Sequence, residues 1–418
     1  MSEKEINVGI GFVTGRKSFL KVLRTYIYSW KECGLTTRPD INLHVFVAYD
    51  LRYNNTNSSD FTLIGKDLAR EVKEIHLISA QSVQACAGQL VQRGVLSAPD
   101  AQLFFSSGYA AMRNAVLYEA VKCGMDSLLF LDDDEYPLAV TNNHGSAIWS
   151  GQQVLAKHLA AIETADITNG YHCGYISPIP SLEFGDRLPE AAFRSFIEAL
   201  SNDILNWDKI RDIMRVGGVT YADTEVLMRN TAHEVEEVNG CKFISGANLC
   251  LSLRDPQHMS PFYNPPGARG EDTFLSTCLH DKKVVRIPCY AFHDGFATYN
   301  HLLNGVLPSC LKPICGDSRS IVNRFYNACI GWVRYKPLLL YITQRGQYRQ
   351  RIDEMRENLQ SSLPAICAAF HRDDFNNVLA ELDRYDGAVE EHYDQFLRTG
   401  EIWRALCADL APHPGAAR

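Results

Sequence analysis

Four acids in a row, Asp132, Asp133, Asp134 and Glu135, follow directly on the apolar run Leu128 to Leu131. Such a run reads as a short strand buried on both faces, as in a parallel sheet, and Pro137 is expected to end regular pairing beyond it. Two unit negative charges ~6 Å apart repel by roughly 0.7 kcal/mol in water and nearer ~3 kcal/mol at a partly shielded site. Several carboxylates at the mouth of a sheet are therefore costly unless a cation sits among them. Carboxylate oxygens suit Mg2+ or Mn2+, and such ions usually enter with phosphate attached. The chemistry expected here is a divalent ion holding a diphosphate.

Other chemistry-bearing residues fall at the ends of neighbouring elements. Thr14, Gly15 and Arg16 follow the first strand and Asp50 follows the second. In an open α/β sheet the strand ends at Thr14, Asp50 and Asp132 face one crevice. Arg113 and Asn114 lie on the helix before the acidic strand, where a guanidinium finds a phosphate or carboxylate partner. Glu271 and Asp272 open a later helix; acids there can also serve only to stabilise its N-terminus, by ~0.3–1 kcal/mol. His293 follows the last strand, where a hydrogen-bonded loop histidine is the plainer alternative. Gly9-Ile-Gly11 half matches a dinucleotide fingerprint, with Thr14 standing where the third glycine belongs.

These residues need a scaffold, and hydrophobic periodicity supplies one. Strands are expected at 6–13, 41–48 and about 72–77, with helices at 18–33 and 63–71 and a polar loop at 52–60. This β-α-β-α-β order reads as a doubly wound α/β unit. Residues 81–105 show no regular pattern. Beyond them the spacing predicts helices over 107–123 and 148–164, then a strand over 167–176. An insertion is expected over 182–240, with a helix at 190–206 and a Gly217-Gly218 turn. A strand over 241–253, broken at Ser245-Gly246-Ala247, precedes a loop at 261–270, a helix from Glu271 and a strand at 284–289. From 317 to 410 the pattern is helical. Within it, the apolar stretch 325–342 reads as a core helix pair broken at Pro337; the alternative is an apolar face resting on a membrane or a lipid-linked acceptor.

At 418 residues the chain has room for two domains, and 46% hydrophobic with 22% charged residues is ordinary for a globular protein. A net charge of -8 argues against general nucleic-acid binding. Thirteen cysteines are scattered singly, a pattern that indicates neither a zinc site nor a disulfide framework. Reduced thiols in a cytoplasmic protein are the expectation. The first residues do not have the pattern of a secretory signal, and no apolar run approaches the ~20 residues that span a bilayer.

Taken together, the acidic segment, Ser245-Gly-Ala-Asn248, Gly270-Glu-Asp272 and His293 resemble the motifs of nucleotide-sugar-dependent glycosyltransferases of the GT-A fold, of the inverting, family-2-like kind. The resemblance covers roughly residues 6 to 300. It implies a Rossmann-like α/β fold with a mixed, mostly parallel sheet. The catalytic domain would span 1–316, insertion included, and a helical region would span 317–418. It also implies that Asp132 and Asp134 bind Mn2+ or Mg2+ with the donor's diphosphate, Asp134 coordinating directly. On an extended chain those two share a face and Asp133 points away, still within the nucleotide-sugar site. Asp272, second of the acidic pair Glu271-Asp272, would be the general base, and His293 would complete the metal shell.

Asp50 resembles the residue that contacts the nucleobase. Thr14, Gly15 and Arg16 resemble the loop under the nucleotide, and Arg113-Asn114 is similar to the family's Arg-Asn pair. Asp50-Leu-Arg52 departs from the family pattern, which leaves the base open, with UDP the expected nucleotide. The implied activity is inverting sugar transfer to a hydroxyl of a glycan or lipid-linked acceptor, in polysaccharide biosynthesis. The implied location is cytoplasmic, with peripheral contact at the inner face of a membrane. Two rival activities remain. A retaining enzyme of the same fold would share Asp134 and His293 without needing Asp272. A haloacid-dehalogenase-type phosphatase would use Asp132 as nucleophile and Asp134 as acid/base.

Overall fold

The structure, a computed structural model, describes residues 5–52, 55–201 and 207–411. Eleven strands are found among the described residues: β1 (Ile6–Thr14), β2 (Ile41–Tyr49), β3 (Glu74–Ile78), β4 (Ser127–Leu131), β5 (Glu135–Tyr136), β6 (Leu138–Asn143), β7 (Ser146–Gly151), β8 (Ile167–Gly174), β9 (His233–Glu234), β10 (Leu249–Ser252) and β11 (Val284–His293). Nine of them form one sheet in the order β3-β2-β1-β4-β10-β8-β11-β5, with β9 paired to β11. Strands β3, β2, β1 and β4 run parallel. β10 is antiparallel to both its neighbours, and β8 and β11 are parallel to each other. The protein is thus α/β, with a mixed and mostly parallel sheet.

Helices cover both faces. On one, Phe19, Val22, Leu23, Tyr26 and Trp30 of helix Phe19–Glu32 pack on Val8, Ile10 and Phe12. On the other, Val116 and Leu117 of helix Tyr109–Lys122 pack with Phe46, Leu128 and Phe130. Gly11 is explained by this second layer: a Cβ there would lie 2.8 Å from Val116 Cγ1. The half-matched glycine fingerprint therefore reflects close helix–strand packing.

Several expectations are corrected. Residues 81–105 are largely helical, as Ala80–Gln92 and Ala98–Phe105. The signals lay in the caps: Ser79 accepts from the Ser82 backbone N–H and Ser97 from that of Asp100, each satisfying a donor that the first turn leaves open. The helix expected over 148–164 exists only from Val154 to Ile162. Its first part is β7, hairpinned to β6 through His144 and Gly145, both at positive φ, as a two-residue turn requires. Trp149 stabilises this hairpin by packing edge-on to Phe292 at 4.8 Å and donating its indole N–H to the Pro308 carbonyl. Pairing resumes at once around Pro137, since β5 precedes it and β6 follows it.

The strand expected over 241–253 shrinks to β10, because residues 242–248 turn toward the crevice, with Asn248 at φ +50°. β11 is longer than expected and carries His293 at its end. The helix near 63–71 is two short ones, Ser59–Thr62 and Lys66–Ala69. Residues 53–54 of the expected loop and 202–206 of the expected helix lie outside the described residues.

Four long helices make up the C-terminal part: Arg319–Thr343, Tyr348–Phe370, Asn377–Gly387 and Val389–Leu410. Pro337 does not break the first; it sits inside a continuous helix, although an interior proline costs ~3 kcal/mol or more. Burial of Val333, Leu338, Leu339 and Leu340 in one core holds both halves in line. The apolar stripe is consumed by that packing, so it is not a free face for lipid. Phe193, Phe196 and Trp207 of the 182–240 insertion share this core with Phe325, Leu359 and Phe370. Ile402, Trp403 and Leu406 of the last helix return to the sheet's second face against Phe104. No helix among the described residues is long and apolar enough to cross a membrane.

Candidate functional site

Strand β4 delivers its acids at the C-terminal end of the parallel strands, beside the end of β1. Burial of all five β4 residues fixes that exit point. Residues 132–134 then leave the extended conformation in a turn before β5. The two-residue period of a strand does not apply there, and each aspartate takes its own direction.

Asp133 turns to the loop after β1. It accepts from Thr14 Oγ1 at 2.7 Å and faces Arg16 Nε at 3.1 Å, and the Gly15 backbone N–H donates to it as well. Asp134 accepts from Arg16 Nη2 at 2.7 Å and lies 3.4 Å from His293 Nε2. Its backbone carbonyl accepts from the Asp294 N–H, which ties β5 to the end of β11. His293 is oriented from behind, where Nδ1 donates to the Tyr175 carbonyl at 2.8 Å, so that Nε2 addresses Asp134.

Asp132 faces the other way. Its Oδ1 accepts from Tyr109 Oη at 2.9 Å and from Arg113 Nη2 at 3.2 Å. Arg113 is 2% exposed, surrounded by the rings of Tyr109, Phe130 and Phe262 at 5.0–5.4 Å. It also lies 3.4 Å from Glu271 and donates to the Gly246 carbonyl. Arg113 thus ties the acids of β4 to the helix Glu271–Ser276, with carboxylates rather than a phosphate as its partners. Asp272 follows: Oδ2 accepts from Gly246 N–H at 3.0 Å and Oδ1 from Thr273 N–H at 2.8 Å. Two bonds fix the carboxylate and leave lone pairs for a further donor. Asn114 bonds the Phe262 backbone in both directions and is structural. Asp50 follows β2 beside the end of β1, its backbone N–H on the Thr14 carbonyl and its carboxylate held by Arg52.

Apart from Asn114, Ser245 and Asn248, which bond neighbouring structure, and Asp50, the residues singled out from sequence lie in two linked clusters. Thr14, Gly15, Arg16, Asp133, Asp134 and His293 form the first. Asp132, Arg113, Glu271 and Asp272 form the second. Asp132 and Asp134 do not share a direction, as had been expected from their spacing. Among the described residues, Asp132, Asp134 and His293 do not bring three ligand atoms within 4.8 Å of one another; His44, Glu74 and His76, on β2 and β3, do.

The charges are strongly perturbed. Burial, followed by the repulsion of neighbouring acids against the opposing pull of Arg113, raises Asp132 to about 7. Burial and Asp134 likewise push Asp133 up to about 6. For Asp134, burial is outweighed by His293 and Arg16, and the carboxyl is held well below its usual range. Burial and the adjacent Asp272 raise Glu271. Burial of closely spaced acids is thus the first cause of the raised values, with mutual repulsion adding to it.

Burial alone would lower His293, but Asp134 outweighs it and pushes the imidazolium up to about 9. An unfolded histidine titrates near ~6.5. The folded value being the higher, this stabilisation is complete below about pH 6.5 and is lost as pH rises through about 9, ~3 kcal/mol in all. Thermal midpoints measured with a chelator present are expected to fall across that interval. His293→Gln should flatten the decline; an unchanged slope in the variant would remove His293 as its source.

Residues missed from sequence belong here too. Tyr109 stands one helical turn before Arg113, a spacing that puts both on one face and was readable. Arg324, from helix Arg319–Thr343, packs its guanidinium 4.5 Å from the Phe296 ring. A Cβ built on Gly295 would lie 2.6 Å from both Arg324 Nη2 and His293 Cε1, and the Arg324 charge reaches Asp134. Nothing local in the sequence marks that long-range approach. Glu135 is buried beside His172, with Oε1 2.9 Å from Nε2. Comparisons with protein-family models and with curated proteins return no match for this chain.

Proposed function

We propose that the chain is a metal-dependent inverting glycosyltransferase of the GT-A kind, moving a sugar from a nucleoside diphosphate, UDP foremost, to a hydroxyl of a glycan or lipid-linked acceptor. The observation that carries this reading is that two sets of acids meet at the exit of β4. Asp134 with His293 lies on one side, and Asp272, fixed by two backbone donors, is tied to the other through Arg113.

The side chains fit a divalent ion in part. Asp134 offers a carboxylate, and His293 is held with Nε2 toward it by the Tyr175 carbonyl. Burial first, and then the neighbouring acids, hold Asp132 and Asp133 above the usual carboxylate range, and a cation beside them would favour their charged forms. One carboxylate and one imidazole with substrate phosphates is a sufficient set for Mg2+ or Mn2+. Asp132 stands outside it, bonded to Tyr109 and Arg113. Asp134 and His293 would hold the ion, which when bound supplies electrostatic stabilisation to the departing diphosphate.

The protein's own groups do the rest. Arg16 and Arg324 add positive charge beside Asp134, where a diphosphate would lie. Thr14 and Gly15 brace Asp133 and so shape the floor of the crevice. Asp272 takes the proton of the acceptor hydroxyl, as a general base must, from the side opposite the leaving group. A single in-line displacement then inverts the anomeric carbon without a covalent enzyme intermediate.

The test is a thermal-shift panel of nucleoside diphosphates and their sugars, each with and without Mn2+. A ligand at a hundred times its dissociation constant adds ~2.7 kcal/mol to stability. UDP and a UDP-sugar are expected to raise the midpoint only when Mn2+ is present. No shift with any nucleotide, together with release of phosphate from simple esters, would replace this reading by the phosphatase one.

A further inference from the structure

Among the described residues, strand β3 is an edge of the large sheet and pairs with β2 alone. It is weakly anchored: of its five residues only Ile78 is fully buried, and Glu74 and Leu77 are exposed. On one face of this two-strand edge three potential ligands meet. His44 of β2 lies opposite Glu74 of β3, and His76 lies diagonally across, one pleat further along.

The three atoms that converge are His44 Nδ1, His76 Nε2 and Glu74 Oε2. His44 Nδ1 is 3.3 Å from His76 Nε2 and 3.9 Å from Glu74 Oε2, and His76 Nε2 is 3.6 Å from the same Oε2. Ligands ~2.0–2.1 Å from a tetrahedral zinc ion stand about 3.4 Å apart. The triangle therefore matches one face of a zinc tetrahedron, each of its corners supplied by a different residue. We propose that His44, Glu74 and His76 form a zinc site with one open coordination position, clipping the edge strand to its neighbour.

The chemistry of the set narrows the metal, and the tetrahedral spacing does the rest. Two imidazole nitrogens and one carboxylate oxygen favour zinc over the oxygen-preferring Mg2+ or Mn2+ proposed for the crevice. The imidazoles are rigidly placed: both are largely buried, and His76 stacks on Phe46 with centroids 4.3 Å apart. In the metal-free arrangement one ring donates its N–H to the other. Zinc replaces that shared proton, which moves to the far nitrogen of its own ring. For His76 that nitrogen is Nδ1, which faces Cys123 Sγ at 4.0 Å.

The site is separate from the crevice. His44 precedes Asp50 by six residues, ~20 Å along the strand. Its role is to hold the edge, where an exposed strand with unpaired backbone groups otherwise invites pairing with another chain.

The test uses the full chain, stripped with EDTA and titrated with zinc against a chromophoric chelator, and with Co2+ as a spectroscopic probe. One equivalent of Co2+ is expected to give the intense visible absorption of a tetrahedral centre. Glu74→Gln, at a side chain 61% exposed and so tolerant of change, should weaken zinc at least tenfold. The double variant His44→Gln/His76→Gln should abolish the cobalt spectrum, with circular dichroism checking that it folds. Zinc affinity within twofold of the parent in Glu74→Gln, an octahedral cobalt spectrum, or no binding at all would each overturn the proposal. Metal held by cysteines or by the crevice would survive these substitutions and is recognised in that way.

Discussion

Asp134→Ala is expected to abolish the Mn2+-dependent binding of UDP and to lower sugar transfer about 100- to 1,000-fold, the scale of removing one electrostatic stabiliser from a transition state. The physical reason is local. Asp134 is the acceptor that Arg16 Nη2 and His293 Nε2 share, so its loss removes the proposed metal ligand and the anchor of two cations together. Asp133 still holds Arg16 through Nε, which should keep the loop after β1 in place. Calorimetric titration of UDP with and without Mn2+ reads the effect. UDP affinity that keeps its full response to Mn2+ in the variant would place the ion away from Asp134.

Asp272→Asn is expected to separate chemistry from donor binding. Transfer should fall about 100- to 10,000-fold, the range of general acid–base contributions, while UDP affinity stays within twofold. Asparagine keeps the shape but places an N–H opposite one of the two backbone donors, Gly246 or Thr273. That mismatch costs ~1–3 kcal/mol of stability, so the thermal midpoint must be measured alongside the rate. Near-normal transfer by a folded variant would sink the inverting mechanism and leave the retaining one, which needs no base at this position. The two substitutions fail in different ways: Asp134→Ala tests the donor side and Asp272→Asn the acceptor side.

Much of the scaffold was legible because it is written in local patterns. The runs at Ile6, Ile41 and Leu128 are buried on both faces, and a parallel strand between two helical layers needs that. Where the reading failed, a stronger local signal was passed over or a distant one decided. Ser79 and Ser97 announce two helix starts, one just before and one within the stretch 81–105 that shows no regular hydrophobic pattern. His144-Gly145 announced the turn that makes Ser146–Gly151 a strand. Pro337, by contrast, does not break its helix as its residue type suggests, because the insertion and the other C-terminal helices bury both of its halves.

The sequence by itself determined that carboxylates would crowd the exit of a buried strand, and that Thr14, Asp50, Glu271, Asp272 and His293 would stand at the ends of neighbouring elements. Strand ends and helix starts follow from hydrophobic period and residue type, which act over a few residues. Only the tertiary structure decided where each carboxylate points. A turn over 132–134 sends Asp132 to Tyr109 and Arg113 and sends Asp134 to Arg16 and His293. It also brought Arg324 to the crevice from a helix some two hundred residues later, and set His44, Glu74 and His76 on one face. Such meetings depend on strand order and helix packing, because burial is gained by the assembled layers and not by any single segment.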